Sequence, residues 1–232
     1  MKLAIHQPQF MPWSGYFHKM ATCDRFVLLD NVQFKKNEWQ HRNRIRSPTG
    51  PLWLSVPTTY KFPQLINEVG VADDHQWRTR HLKSIENNYR KCSYFSLYFS
   101  RFEEFYAREL PTLCEYSIAS IRLLADCLAI TTPVILASEF TVEGASTERL
   151  LNICRHLDAD EYLAGAGGKG YMDMDLVAKS GITVSFQEYA PPHYPQHFCK
   201  TDEDFVPGLS VIDLLFNCGP DSFTILMKGG TA

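Results

Sequence analysis

The chain has 232 residues, of which 45% are hydrophobic and 21% charged, with a formal net charge of −3 at pH 7. That length buries a core without disulfide or metal staples, and the composition is that of a soluble globular protein rather than a disordered or fibrous one. The slight acidity argues against a general nucleic-acid binder, although a local basic patch survives the average.

In chain order, Leu3–Ile5 reads as a short strand buried on both faces. Ser14 then opens a helix to about Cys23 that places Tyr16, Phe17 and Met20 on one side. RFVLLD (25–30) is a second buried strand, which completes a β-α-β unit of minimal length. The segment 31–50, NVQFKKNEWQHRNRIRSPTG, is polar, basic and aromatic and reads as a long, partly irregular excursion. PLWLSVPTT resumes a strand. Helical spacing follows through Trp77, Leu82, Ile85 and Tyr89, and again from Tyr94 to Leu128, with Pro111 in a first turn. The α/β rhythm returns with PVILAS, a helix capped by Ser146, the strands EYLAG and ITVSFQEY, and a final helix LSVIDLLFN ending near Gly219. These elements predict one α/β domain over residues 1–232, doubly wound around a mostly parallel, Rossmann- or nucleotidyltransferase-like sheet, with a helical insertion at about 77–128.

Seven cysteines without a C-x-x-C pair exclude a disulfide scaffold or a Cys-type zinc site. No long apolar run precedes Pro8, and no stretch reaches the roughly 18 apolar residues of a membrane helix. The expected location is cytoplasmic, without membrane insertion. His193 and His197 are four apart, but prolines at 191, 192 and 195 forbid the helix that would pair them, so no metal site is expected there.

Ligands of doubly wound sheets gather at the carboxyl ends of strands. That rule collects the unusual residues. His6 and Gln7 follow the first strand, in a corner stiffened by Pro8 and Pro12 that also carries Trp13. His6 is the candidate general acid/base, since its unperturbed pKa near 6.5 suits proton transfer. Asp30, Asn31 and Gln33 follow the second strand, with Asp30 the candidate to orient His6 or to hold Mg²⁺. In the basic excursion, Lys35, Lys36, Arg42 and Arg44 offer charge for phosphate. Trp39 offers a stacking face, and Gln40 and Asn43 offer amides. Four glycines among residues 165–170, namely Gly165, Gly167, Gly168 and Gly170, surround Lys169 and precede Tyr171. Such a turn can cradle an anion through its backbone amides, although the spacing is neither GxxxxGK[ST] nor a dinucleotide fingerprint. Gln187 ends a later strand.

Together HQPQFMPWSGYFHKM, FVLLDNVQFKKNEWQHRNRI, WLSVP, YLAGAGGKGYMD, FQEY and LSVIDLLFN resemble the WbqC-like family of bacterial proteins over nearly the whole chain. That family is associated with surface-polysaccharide gene clusters, so the resemblance implies lipopolysaccharide or O-antigen biosynthesis as a context. More distantly, the opening strand, polar corner and helix starting at a Gly are similar to the HIGH-type nucleotidyltransferases and pantoate-type ligases. The HxGH pair is absent, so that likeness implies the fold and not the reaction. The leading expectation is a transferase that modifies a nucleotide-linked amino sugar by acylating an amino group with an amino-acid or other acyl unit. Two alternatives stay open: adenylyl or nucleotidyl transfer or ligation using ATP and Mg²⁺, and a non-catalytic protein that binds a nucleotide or polysaccharide intermediate. The expected partner is a small nucleotide or nucleotide-sugar, not a nucleic acid.

Overall fold

The computed structural model describes residues 1–72, 74 and 76–230. The elements in order are β1 (Lys2–His6), α1 (Ser14–Ala21), β2 (Arg25–Leu28), β3 (Arg42–Ser47), β4 (Gly50–Ser55), β5 (Thr58–Thr59), β6 (Gly70–Val71), α2 (Trp77–Tyr89), α3 (Phe95–Ala107), α4 (Leu113–Cys127), β7 (Val134–Leu136), α5 (Ser146–His156), β8 (Glu161–Ala164), α6 (Met174–Ser180), β9 (Thr183–Phe186), α7 (Val211–Cys218) and α8 (Ser222–Met227).

Five of the strands form one sheet in the order β7-β2-β1-β8-β9, and every pairing in it is parallel. Numbered along the chain, that is order 3-2-1-4-5. The winding reverses between β1 and β8, which is where doubly wound sheets open their ligand crevice. The strands are short and apolar because both of their faces are covered. Side chains alternate across the sheet. Ala4, Phe26, Leu28 and Leu163 pack with Tyr16, Phe17 and Met20 of α1 and with residues of α2, α3, α4 and α7. Leu3, Ile5, Val27, Tyr162 and Ala164 pack on the other face with Leu150, Leu151, Ile153 and Val177 of α5 and α6. Each fully buried side chain of this size stabilises by about 1.5–3 kcal/mol.

The helices α2, α3 and α4 lie in the crossover from β2 to β7 and share the first of these apolar clusters. The start of α4 is fixed by Thr112 and Glu115, whose side chains bond each other's backbone N–H at 3.2 and 3.0 Å, so Pro111 sits just outside the helix. Ser146 begins α5 as expected but makes no capping bond, since Ala145 holds the cap position.

The excursion after β2 is more regular than its composition suggests. Arg42–Ser47 is a strand, paired antiparallel with β4 so that Arg44 faces Trp53 and Ile45 faces Leu52. The continuous strand expected over PLWLSVPTT is instead two, because Thr58–Thr59 leaves the hairpin to pair with β6. The hairpin springs from the carboxyl end of β2 and returns across the corner that follows β1.

Candidate functional site around the first strand corner

The corner from Gln7 to Trp13 is pinned on all sides. Phe10 N donates to Trp39 O at 3.1 Å, and Val211 N donates to Pro12 O at 2.9 Å. Met11 sits at φ 46, a strained conformation for a side-chain-bearing residue. It is held there from both ends, since its N–H donates to Ser120 Oγ at 3.0 Å and its carbonyl accepts from Asn43 Nδ2 at 2.8 Å. Trp13 folds over the start of α1, where a Cβ on Gly15 would overlap its ring. Only glycine permits that approach. The prolines therefore stiffen a loop that α4, α7 and β3 also clamp.

Beneath the corner the groups are enclosed. His6 packs edge-on against Tyr16 at 4.7 Å and keeps only a partly exposed edge. Its Nδ1 is 3.0 Å from the Gln7 carbonyl. A carbonyl only accepts, so Nδ1 carries the hydrogen and Nε2 the lone pair. Burial, helped by the charge of Lys19, pushes the imidazole down to about 3. The expectation of an unperturbed pKa therefore fails: His6 is neutral across the physiological range. Lys19 is buried, donates to Ile5 O at 2.9 Å, and is lowered by burial to about 7.

Above the corner the groups are open to solvent. The Arg42 guanidinium lies 4.3 Å above the Trp53 ring, and Arg44 lies 5.6 Å from both Trp39 and Trp53, whose own rings are 5.7 Å apart. Both tryptophans are exposed. Arg42 donates to Asn37 O, yet the Nε atoms of Arg42 and Arg44 find no partner. A cavity of about 280 Å³ lies between Trp13, Trp39, Asn43, Arg44 and Gly208. On the other side of Trp39 a second hollow, of about 180 Å³, is lined by Gln7, Gln9, Lys35, Glu38, Trp39 and Gln40. Together they reach the lower part of the range of roughly 300–1,000 Å³ usual for small ligands.

Of the residues singled out in the sequence, Gln7, Trp13, Lys35, Trp39, Gln40, Asn43 and Arg44 line these two spaces, and Gln40 Nε2 donates to Gln7 Oε1 at 2.7 Å. The others lie elsewhere. Asp30 is buried and both its oxygens accept from Ser138, at 3.0 Å from the N–H and 2.6 Å from the hydroxyl. Its carboxylate is occupied in holding the turn after β7, so the residue does not fit a Mg²⁺ ligand as folded. Asn31 donates to Ala137 O and accepts from Arg149 at 2.7 Å. Gln33 and Lys36 are exposed, and the Gln33 backbone bridges Leu65. Gln187 reaches α1, donating to Gly15 O at 2.8 Å.

The glycine-rich turn follows β8, on the opposite lip of the crevice from the corner. Gly168 packs on Phe186 and Ala164, whereas a Cβ at Gly165, Gly167 or Gly170 would meet nothing within 4 Å. Lys169 pairs with Glu188 at 3.4 Å, and Tyr171 is exposed.

Gln9, Lys19, Glu38 and Trp53 were not singled out. Trp53 becomes visible only once β3 is recognised as a strand, because its place beside Arg44 is set by cross-strand register. Lys19 had a signal, since it is a cation inside the run Tyr16–Met20 that the helical period assigns to the core.

The sequence of the WbqC-like protein family, taken as a family model, matches residues 7–225. A protein of Mycobacterium tuberculosis, described as uncharacterized, is 33% identical over 227 residues, which cover 95% of each chain. No solved structure matches the chain.

Proposed function

The chain belongs to the WbqC-like protein family, and from that premise and the geometry of the corner we propose that it is a transferase acting on a nucleotide-linked amino sugar in surface-polysaccharide biosynthesis. One observation carries the reading: two tryptophans interleaved with two arginines stand over a rigid corner at the switch point of a parallel 3-2-1-4-5 sheet. Flat aromatic faces suit a nucleobase, and guanidinium groups with unpaired N–H suit its phosphates. Lys35 adds a third cation beside them.

In this reading the transferred group is acyl, and the attacking atom is the sugar's amine. The amine nitrogen forms the new bond to the acyl carbon as the bond to the donor's leaving group breaks. The proton released leaves with that group or to water. His6 supports the step as a neutral acceptor whose Nε2 orients the amine. Asp30 supports it indirectly, by holding the turn beside the crevice.

Titration with UDP-, dTDP- and GDP-sugars and with ATP, followed by tryptophan emission, tests the binding. Nucleotide-sugars should quench Trp39 and Trp53; no response to any nucleotide would sink the proposal. Incubation with acyl donors and mass spectrometry then tests the reaction. The nucleotide-sugar should gain one acyl group, and His6→Ala should lose that product while keeping affinity. Pyrophosphate release from ATP would favour adenylyl transfer, and tight binding with no product a non-catalytic binder.

A further inference from the structure

The hollow on the far side of Trp39 has an uneven set of polar partners. Gln40 is fully engaged, with its Oε1 accepting from the Lys35 N–H at 2.9 Å and its Nε2 donating to Gln7 Oε1 at 2.7 Å. Gln7 Oε1 therefore receives one hydrogen bond and retains a second lone pair. Gln9 Oε1 is buried and receives none. Native proteins keep few buried acceptors without a donor, so this one calls for an explanation. Glu38 adds a carboxylate to the same lining. The wall is thus rich in acceptors: Gln9 Oε1, the spare lone pair of Gln7 Oε1 and the Glu38 carboxylate.

The complement of such a wall is a donor-only, positively charged group. A protonated primary amine carries three N–H donors and no acceptor. A hydroxyl brings one donor and no charge. An acetamido group brings one N–H, a carbonyl that would face like-signed oxygens, and a methyl. The Trp39 ring supplies the flat apolar surface that the C–H face of a pyranose needs, and it separates this polar hollow from the aromatic cavity beside Arg44. Lys35, exposed at the same hollow, suits the phosphate that joins sugar to nucleoside.

We infer that the hollow formed by Gln7, Gln9, Glu38 and Trp39 is the sugar subsite, and that it selects a free amine on the sugar over a hydroxyl or an acetamido group. The inference rests on the nucleotide-sugar reading of the rim, and it names the part of the ligand that each half of the rim holds. Specificity of this kind comes from buried polar groups that the wrong ligand leaves unpaired.

Tryptophan-emission titrations with glucosamine, glucose and N-acetylglucosamine, and separately with UDP, provide the test. Wild type should bind glucosamine about tenfold more tightly than either other sugar, the scale of one charge-assisted hydrogen bond. Gln9→Leu should erase that preference and leave UDP affinity unchanged. Gln9→Glu, which keeps the side chain's shape, should widen the preference. Equal affinity of wild type for the three sugars overturns the inference, as does a preference that survives Gln9→Leu or narrows with Gln9→Glu. A Gln9-dependent preference for glucosamine without any UDP binding would leave the amine subsite standing and remove the nucleotide reading.

Discussion

The molecule has two clusters of basic groups a few residues apart in structure, and they are treated in opposite ways. Under the corner, His6 and Lys19 are enclosed, and burial drives both toward their neutral forms. On the hairpin, Arg42 and Arg44 lie across exposed indole rings with unpaired N–H groups. Arginine is the residue for the second task, since its guanidinium stays charged and stacks while offering a fork of donors. Histidine and lysine suit the first, because desolvation can neutralise them. The difference assigns roles: the buried pair shapes and polarises the floor of the crevice, and the exposed pair attracts anions to its rim.

The hairpin can serve as a rim only if it is held from behind. Tyr89 OH accepts from Arg46 N at 2.8 Å and donates to Asp213 Oδ1 at 2.8 Å, while Tyr194 and Gln196 donate to Asp213 Oδ2 at 2.7 and 2.8 Å. Asp213 is fully buried. Asp213→Ala would strand three donors and loosen β3 from α2 and α7. Chemical denaturation should show a loss of roughly 3–5 kcal/mol. A loss below about 1 kcal/mol would mean that the hairpin is anchored by its apolar contacts alone, and the contrast between a rigid rim and a rigid floor would lose its basis.

A smaller effect is expected on the rim itself. Arg44→Ala should weaken nucleotide-sugar binding by roughly 1.5–3 kcal/mol, the range for hydrogen bonds to charged groups, and Arg42→Ala should act similarly. Folding stability should change by less than about 0.5 kcal/mol, as for most surface positions. Arg44→Lys keeps the charge but not the planar fork, so it should restore only part of the loss. Isothermal titration at two salt concentrations separates the ligand classes. A small anion neutralises few charges and is modestly salt-sensitive, whereas a nucleic acid touching several phosphates loses affinity by orders of magnitude.

Much of this was legible in the sequence, and the failures have a common cause. β1, β2, β8 and β9 were readable because strands buried on both faces spell continuous apolar runs, and the parallel sheet followed from their alternation with helices. The corner was readable because prolines, a His and a Trp at a strand end have no simple packing purpose. β3 was missed because Arg42, Arg44 and Arg46 were counted as charge, although their spacing of two, with Asn43 and Ile45 between them, is that of a strand. Asp30 was misjudged for a different reason. Its position at a strand end was correct, but nothing local could disclose that Ser138, 108 residues away, would occupy its carboxylate. Sequence period reports which face a side chain takes, and only tertiary contact reports whether its polar atoms are already satisfied.

The smallest expected effect tests the floor. Lys19 has the Ile5 carbonyl as its hydrogen-bond partner, and burial outweighs every other influence on its titration. Its folded pKa of about 7 lies below the model value of 10.5. Between those values the unfolded chain holds a proton that the folded chain does not. Stability must then rise with pH through that window and fall as pH drops toward 7, with a limiting slope of about 1.4 kcal/mol per pH unit. Buried thiols oppose this at higher pH, because Cys23, Cys92, Cys114 and Cys154 are raised from 9.0 to about 12 and the unfolded chain ionises first. The clean interval is therefore just above neutrality. Wild type should gain about 1 kcal/mol between about pH 7.5 and pH 8.5 relative to Lys19→Met, which has no proton to lose and fills the same space. Parallel stability curves for the two proteins would show that Lys19 keeps its charge in the folded state, and the floor would then be as cationic as the rim.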